Sequence, residues 1–283
     1  MRATLGIPAY NEEKNIKMTL EQAIANRPKD VEIIVVSDGS TDNTDNIIKG
    51  FSKKGVKLIS KKNAGKVAAL NDIAKKSKGD IVILQDADTS IEKDYIENII
   101  KKFDDKKIGM IVTYGLENNK SGFCAFYAKT LTGLQHAHNI RTKNTPKAFG
   151  GLYAIRRKLF QELPEKVFSD GDYNVSAVSK KGFVVKYCPD IKFYTLFPTN
   201  FKSLAKWRER VFIGQSCHKL YHGNSISTHN PAELLSTIIQ YLKENIIDAP
   251  KIFAVFFLEA CFRFLAYRDI KKKRDVHIYE RTY

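Results

Sequence analysis

The segment Asp80-Ile81-Val82-Ile83-Leu84-Gln85-Asp86-Ala87-Asp88 joins a short apolar run, a predicted strand at 80–84, to two carboxylates at its carboxyl end. An apolar run of this length is typical of a strand that is buried on both faces of a parallel sheet. Side chains two residues apart on an extended chain point to the same side, so Asp86 and Asp88 could serve one divalent cation, Mg²⁺ or Mn²⁺. Such a cation would neutralise a diphosphate leaving group. The alternative is a turn with a helix cap, since Asp-x-Asp is common where strands end.

The rest of the first 115 residues alternates strand-like and helical patterns around this segment. The first strand-like run lies at 4–7, and further apolar runs predict strands at 31–36, 56–59 and 108–112. Helical patterns lie near 12–26, 42–53, 65–77 and 91–104. This alternation predicts an α/β fold with a Rossmann-like, mostly parallel central sheet and helices on both faces. Ligands of such folds bind at the carboxyl ends of the strands.

After residue 115 the pattern of predicted helices and strands changes. Between 116 and 199 the pattern is mixed, with helices near 123–139 and 171–181 and strands near 183–187 and 191–195. From residue 200 onward the pattern is helical. We find neither an internal repeat nor a low-complexity tract in the sequence.

The composition indicates a globular protein but does not identify its partner. The 283 residues are 43% hydrophobic and 28% charged, as in ordinary globular proteins. Lys and Arg outnumber Asp and Glu by 47 to 31, and the net charge of +16 favours anionic partners: phosphorylated substrates, nucleic acid or acidic membranes. The four cysteines are widely spaced, which predicts reduced thiols rather than a zinc site or disulfides. With no apolar segment of signal-peptide length at the N-terminus, we expect a cytoplasmic protein.

Polar residues follow two other predicted strands. Asp38, in Ser37-Asp38-Gly39-Ser40, comes directly after a buried strand and could hydrogen-bond a base or ribose, or this loop could simply cap the next helix. Gly65 and Lys66 open the third helix, where the helix N-terminus and the lysine charge favour an anion. The alternative for Lys66 is a solvated basic face.

A last acidic segment, Ser169-Asp170-Gly171-Asp172, follows the mixed region. A carboxylate here could deprotonate an acceptor hydroxyl if it faces the reactive carbon of a sugar. The alternative is an ordinary helix N-terminus, which also favours Asp.

Taken together and in order, five segments closely resemble the family-2 glycosyltransferases over residues 3–197: Pro-Ala-Tyr-Asn-Glu-Glu (8–13), Ser-Asp-Gly-Ser-Thr-Asp (37–42), Asn-Ala-Gly-Lys (63–66), Asp-Ala-Asp (86–88) and Ser-Asp-Gly-Asp (169–172). The resemblance implies a GT-A fold. It also implies a single displacement that inverts the anomeric carbon of a UDP- or GDP-sugar, with a lipid-linked or glycan acceptor. The expected catalytic domain is 1–199, with a nucleotide-binding half (1–115) and an acceptor half (116–199), followed by a helical region at 200–283.

The resemblance also implies roles for individual residues. The expected donor-binding residues are Pro8, Ala9, Tyr10, Glu12, Asp38, Gly65, Lys66, Asp86 and Arg210. Asp88, assisted by Asp86, would face the cation. Asp170 would be the catalytic base, with Asp172 as the alternative. Phe149-Gly150-Gly151 resembles the acceptor-side segment of the family, although each glycine could equally serve a strand bend.

The sequence departs from the processive members of the family at residues 206–211. Those members carry Gln-x-x-Arg-Trp, whereas here Trp207 stands at the Gln position, Arg210 matches the Arg and Val211 replaces the Trp. We therefore expect transfer of one sugar or a few. Arg208 or Arg210 could still clamp the diphosphate. The alternative for Trp207 is simple packing on an amphipathic helix.

An apolar run at residues 252–267 lies between Lys251 and the basic cluster 271–274. As a helix it would measure only about 24 Å, too short to span a bilayer. Glu259 and Arg263 stand four apart and could pair on one helical face. Residues 249–274 could dock on the anionic inner face of the cell membrane or pack on protein, with a slight preference for docking.

Two other classes of protein would share some of these features. A sugar-phosphate nucleotidyltransferase would have the same kind of sheet and metal carboxylates, but the sequence has no Gly-rich triphosphate loop near the first strand. A non-catalytic basic module that binds nucleic acid would fit the net charge, but the lysines are dispersed and no recognition motif is present. No nucleic-acid partner is therefore expected.

Overall fold

The computed structural model describes residues 1–118, 121–142, 146–165, 169–222 and 231–272. Its strands are β1 (Ala3–Ala9), β2 (Val31–Asp38), β3 (Val56–Lys61), β4 (Ile81–Gln85), β5 (Thr89–Ile91), β6 (Ile108–Glu117), β7 (Leu152–Arg156) and β8 (Val184–Thr195). Its α-helices are α1 (Ile16–Ala25), α2 (Thr44–Lys49), α3 (Lys66–Lys76), α4 (Tyr95–Lys102), α5 (Phe123–Arg141), α6 (Asp170–Lys180), α7 (Phe201–His222), α8 (Pro231–Glu244) and α9 (Ala249–Lys272). The start predicted for α8 at Asn230 lies outside the described residues.

The strands form one sheet in the order β3-β2-β1-β4-β7-β6-β8-β5. The strands β3, β2, β1 and β4 are parallel to one another, as the alternating pattern predicted. Beyond β4 the sheet is mixed: β7 is antiparallel to both β4 and β6, and β5 is antiparallel to β8. β7 runs in reverse because the chain re-enters the sheet at Gly151, at the edge where β4 ends; the Asp86 amide donates to the Gly151 carbonyl there (2.9 Å).

The two strands predicted at 183–187 and 191–195 are one continuous strand, β8, with an irregularity in its middle. Pairing with β6 jumps from Cys188 opposite Thr113 to Lys192 opposite Tyr114. Pro189 lies in the skipped stretch and has no amide hydrogen to donate, so the ladder is interrupted without ending the strand.

Apolar side chains cover both faces of the sheet, as expected for a sheet between helices. Leu5 and Ile33 face the side packed by α1, α2 and α4, whereas Ile34 and Leu84 face the side packed by α3 and α6. Gly6 lets α3 approach β1 closely, because a Cβ there would lie 2.1 Å from Ile73 Cγ2. Helix α3 is therefore fixed against the sheet, with its N-terminus near the carboxyl ends of the strands.

The C-terminal helices form a smaller apolar core with α5. Tyr127 of α5, Phe212 of α7 and Phe262 of α9 are buried together. Arg208 pairs with Glu259 at 2.6 Å, and both side chains are largely buried. The spacing of Glu259 and Arg263 predicted an i,i+4 pair, but the ion pair that Glu259 makes is with Arg208, on another helix. A role for Arg208 at the diphosphate stays a prediction.

The described part of the chain has no helix long and apolar enough to cross a membrane. The described cysteines Cys124, Cys188 and Cys261 are free thiols, in agreement with their scattered spacing.

Candidate active site

Three charged residues from distant parts of the sequence meet at the carboxyl edge of β4. Lys66 begins α3, Asp86 follows β4 and Asp170 begins α6. The Lys66 Nζ atom lies 2.7 Å from Asp86 Oδ1 and 4.0 Å from Asp170 Oδ1. The structure therefore brings together the lysine and two of the carboxylates that the sequence pointed to. Asp88 is close enough for its charge to raise the pKa of both Lys66 and Asp86.

The cluster carries more negative than positive charge. Burial raises the pKa of Asp86 to about 6, Lys66 works against this rise, and Asp88 and Asp170 add to it. Burial lowers the pKa of Lys66, but the carboxylates of Asp86, Asp170 and Asp88 outweigh burial and hold it above its ordinary value. Three carboxylates around one ammonium group leave room for a further cation.

The carboxylates of this cluster fit a divalent cation whose remaining ligands come from outside the protein. No three His, Cys, Asp or Glu side chains within the described ranges are grouped so as to hold a metal ion. Asp86 and Asp88 nevertheless offer carboxylate oxygens, and Mg²⁺ typically binds one or two carboxylates plus substrate phosphates and water. The raised pKa of Asp86 indicates negative charge that such an ion would offset.

Asp38 organises the loop that leads into α3. Its Oδ1 atom accepts a hydrogen bond from the Ala64 amide (2.9 Å) and its Oδ2 atom from the Gly65 amide (2.7 Å). Gly39 has a positive φ of 77°, and a Cβ there would lie 2.5 Å from the Asn63 amide nitrogen. Asp38 thus sets the position of Lys66, while each of its oxygens keeps a second lone pair for a ligand. In the same loop, Asp42 accepts from the amide of Thr44, the first residue of α2 (3.0 Å), whereas the N-cap of α2 is Asn43.

The residues after β1 lie beside Asp38. Ala9 pairs in register with Ser37, and its side chain is buried in the core, so Ala9 can offer a ligand only its backbone. Tyr10 is half-buried. Glu12 is buried; its Oε2 atom accepts from Asn15 (3.0 Å). Pro8 lies within β1. The roles of these residues in donor binding stay predictions.

The sequence assigned no separate role to Asn11, although the structure shows one. It adopts a positive φ of 53°, which Asn tolerates better than most residues. Its side-chain Oδ1 atom accepts from the backbone amide of Thr41 (2.8 Å), and its backbone amide donates to Ser40 Oγ (3.1 Å). Asn11 therefore joins the loops after β1 and β2. The signal in the sequence was an Asn shortly after the strand-like run at 4–7.

The two candidate bases, Asp170 and Asp172, differ in their surroundings. Asp172 accepts from Ser169 Oγ (2.8 Å) and from the Ala148 amide (3.1 Å), so it holds the start of α6 to the chain before β7. Asp170 lies within reach of Lys66 and accepts from the Tyr153 hydroxyl (2.8 Å). Asp172 fits the alternative of a helix N-terminus, and Asp170 is the carboxylate in the charged cluster. Tyr153 was not singled out from the sequence, because a tyrosine inside an apolar strand is typical of a core.

The remaining residues to which the sequence assigned a role, all after residue 148, lie in different surroundings. Gly151 packs closely on Phe193, since a Cβ would lie 2.2 Å from its ring. Trp207 packs edge to face on Phe197, with the ring centroids 5.2 Å apart, which favours the packing interpretation. Arg210 is partly buried and lies two residues after Arg208, about 200° around α7, so the two arginines face different ways. A role for Arg210 at the diphosphate stays a prediction.

Comparison with known proteins agrees with this architecture. The family model described as glycosyl transferase family 2 matches residues 4–164. The chain is 32% identical over 178 residues to glycosyltransferase GlyA of Streptococcus pneumoniae serotype 4, covering 57% of this chain and 25% of GlyA. It is 27% identical over 239 residues to poly-beta-1,6-N-acetyl-D-glucosamine synthase of Staphylococcus aureus strain COL, covering 80% and 57%. The chain thus spans about a quarter and just over half of the lengths of these two relatives.

Solved structures show the same fold at lower identity. The mannosyltransferase PcManGT from Pyrobaculum calidifontis, in complex with GDP-Man and Mn²⁺, aligns with a TM-score of 0.64 and 22% identity over 92% of this chain and 75% of its own. S. aureus TarS 1-349 in complex with UDP aligns with a TM-score of 0.53 and 15% identity over 96% and 92%. These matches confirm the expected GT-A fold. The chain belongs to glycosyl transferase family 2.

Proposed function

We propose that this protein is an inverting glycosyltransferase that moves a sugar from a nucleoside-diphosphate sugar to a hydroxyl group of a lipid-linked or glycan acceptor. The observation that carries the proposal is the cluster of Lys66, Asp86 and Asp170, with Asp88 close by, at the carboxyl edge of β4. The GDP-Man and UDP bound in the two similar structures support a donor of this class.

The donor would lie along the edge formed by the ends of β1, β2 and β4. In this proposal Tyr10 and Asp38 contact the base and ribose. The N-terminus of α3 at Gly65 and the ammonium group of Lys66 favour phosphate oxygens. On binding, Lys66 would exchange part of its contact with Asp86 for the diphosphate.

Asp88 and Asp86 would hold a divalent cation, Mg²⁺ or Mn²⁺. When bound, such an ion neutralises the charge that develops on the diphosphate as it leaves. The Mn²⁺ in the similar mannosyltransferase supports this assignment.

Asp170 is the proposed base. As the acceptor hydroxyl oxygen attacks the anomeric carbon, the Asp170 carboxylate takes the hydroxyl proton. The bond between the anomeric carbon and the diphosphate oxygen breaks, and its electron pair stays on the nucleoside diphosphate. Attack from the face opposite the leaving group inverts the anomeric centre. Transfer is proposed to be non-processive, since Val211 stands in place of the family's tryptophan and Trp207 is packed on Phe197.

We further propose that α9 contacts the anionic inner face of the cell membrane. One side of α9 is buried on the protein through Ile252, Val255, Phe262 and Ala266. The other side exposes an apolar stripe, which we define as Phe253, Phe257, Phe264 and Tyr267; Phe257 is 69% exposed. Lys251 flanks the stripe, and the net charge of +16 complements anionic lipid. Lys273 and Arg274 of the basic cluster lie outside the described residues.

The test is release of nucleoside diphosphate from a panel of UDP- and GDP-sugars, with Mn²⁺ or Mg²⁺ and with acceptor extracts. Asp88→Asn should lose cation-dependent release, and Asp170→Asn should bind donor but transfer sugar only at a small residual rate. Asp72→Asn is the matched control, because Asp72 pairs with Lys61 (2.6 Å) outside the cluster. Transfer by Asp88→Asn at the wild-type rate would contradict the proposal. Pyrophosphate formed from a nucleoside triphosphate and a sugar phosphate would point instead to a nucleotidyltransferase.

A further inference from the structure

Behind Asp170 lies a buried pair of polar side chains that the proposed chemistry does not use. Tyr153, on β7, is 1% exposed and its hydroxyl donates to Asp170 Oδ2 at 2.8 Å. Asn174 is fully buried one turn after Asp170 on α6, and its Nδ2 atom donates to the Tyr153 hydroxyl oxygen at 3.3 Å. We propose that Tyr153, oriented by Asn174, is a positioning residue that fixes the Asp170 carboxylate for proton transfer. This inference rests on Asp170 being the base.

The hydrogen-bond directions in this chain of groups follow from the donors available. An amide NH₂ can only donate, so Asn174 occupies a lone pair of the Tyr153 oxygen. The single hydroxyl proton is then free to point at Asp170. Burial raises the pKa of Tyr153 well above its ordinary value, and Asp170 adds to this effect, so the hydroxyl remains a donor.

Anchoring one carboxylate oxygen decides where the other one points. With Oδ2 held by Tyr153, Oδ1 is the oxygen that lies 4.0 Å from the Lys66 ammonium, on the side of the charged cluster. A carboxylate that rotated freely would present either oxygen and spend less time in a productive arrangement.

The strand that carries Tyr153 makes the anchor rigid. In the sheet, Tyr153 pairs with Leu84 of β4 on one side and with Val112 of β6 on the other. Leu84 is two residues before Asp86. The hydroxyl of Tyr153 therefore ties the base on α6 to the strand next to the proposed cation carboxylates, and it sets the distance between these two parts of the site.

The first experiment compares Tyr153→Phe with Tyr187→Phe. Both changes remove one hydroxyl; that of Tyr187 is hydrogen-bonded to His136 (2.7 Å) rather than to a carboxylate. Tyr153→Phe should lower kcat on the order of ten- to hundredfold, as expected for loss of a hydrogen bond to a charged group, while the donor KM and Kd stay within about twofold. Tyr187→Phe should keep the wild-type kcat. A kcat for Tyr153→Phe equal to that of the control would overturn the inference.

Two further variants separate positioning from a general loss of structure. In an Asp170→Asn background, adding Tyr153→Phe should lower the residual rate by less than about twofold, because the group that it positions is gone. A full additional loss would show that Tyr153 acts elsewhere and would contradict the inference. Asn174→Ser, which keeps the tyrosine, should lower kcat less than Tyr153→Phe does. This variant tests the positioning of Asp170 even if Tyr153→Phe folds poorly, and an unchanged kcat would count against the inference.

The outcomes also separate this inference from the proposed function. If Asp170→Asn transfers sugar at the wild-type rate, the assignment of the base fails. If Asp170→Asn is inactive and both Tyr153→Phe and Asn174→Ser retain full kcat, the base stands and only the positioning role is lost.

Discussion

Replacing Lys66 with Met should weaken donor binding and strengthen cation binding at the same time. The ammonium group now lies 2.7 Å from Asp86 and is proposed to turn to the diphosphate. One charge-assisted hydrogen bond contributes about 1.5–3 kcal/mol, which corresponds to roughly ten- to hundredfold in Kd. The Lys66 side chain is 42% exposed, so solvent screening places the expected loss near the lower end, at about tenfold.

The effect on the cation has the opposite sign. Without Lys66, Asp86 Oδ1 loses a competing positive charge, so Mn²⁺ alone should bind more tightly than to the wild type. Calorimetric titrations of UDP and GDP in the presence of Mn²⁺, and of Mn²⁺ alone, measure the two effects separately. Lys57→Met is the control, since Lys57 pairs with Glu32 (3.1 Å) near the amino ends of β3 and β2, away from the carboxyl edge of the sheet. Unchanged nucleotide affinity together with unchanged Mn²⁺ affinity would refute the role given to Lys66.

Three further predictions test other parts of the molecule. Asp38→Asn leaves one of the two loop amides without its acceptor, so urea unfolding should show a loss of about 1–3 kcal/mol; wild-type stability would contradict the loop role. Since the pKa of Asp86 is about 6, above its ordinary 3.8, the stability that its protonation gives the unliganded protein is lost as the pH rises through 6. The thermal shift caused by Mn²⁺ should therefore grow between pH 5 and 7, and a flat profile would argue against Asp86 as a ligand. Replacing Phe253, Phe257 and Phe264 with Ser should abolish co-sedimentation with anionic vesicles but leave transfer to a soluble acceptor intact; equal sedimentation, or a dimer that these changes dissociate, would count against a membrane contact.

Most of the first half of the fold could be predicted from the sequence. The runs at 31–36 and 81–84 are strands because uninterrupted apolar residues are satisfied only when both faces are covered. Asp86 meets Lys66 because the carboxyl ends of parallel strands and the helix N-termini that follow them share one edge of the sheet. Asp170 comes after the reversed strand β7, so this rule does not place it at that edge. The expected residue roles at that edge remain predictions.

Features that depend on distant partners could not be predicted. The reversed direction of β7 follows from where the chain re-enters the sheet, and the residues of β7 do not encode it. The i,i+4 spacing of Glu259 and Arg263 suggested a local pair, but Arg208, 51 positions earlier, supplies the contact. Tyr153 looked like any core aromatic residue, because only the folded structure shows what its hydroxyl reaches.

The proposed domain division at residue 199 also remains a prediction. The family model ends at residue 164, and α7 and α9 pack with α5 of the acceptor half through Tyr127, Phe212 and Phe262. The helical region thus shares a core with the preceding part of the chain, and its boundary cannot be drawn from composition alone.

The central claim is that Asp86 and Asp88 hold a cation beside the diphosphate, with Asp170 on the acceptor side. A crystal grown with Mn²⁺ and UDP or GDP tests this directly through the anomalous signal of manganese. We expect a single strong peak within about 2.5 Å of an Asp88 oxygen, with phosphate oxygens completing its ligands and Lys66 turned toward the diphosphate. A manganese peak away from both aspartates, or a nucleotide bound in another cleft, would contradict the account.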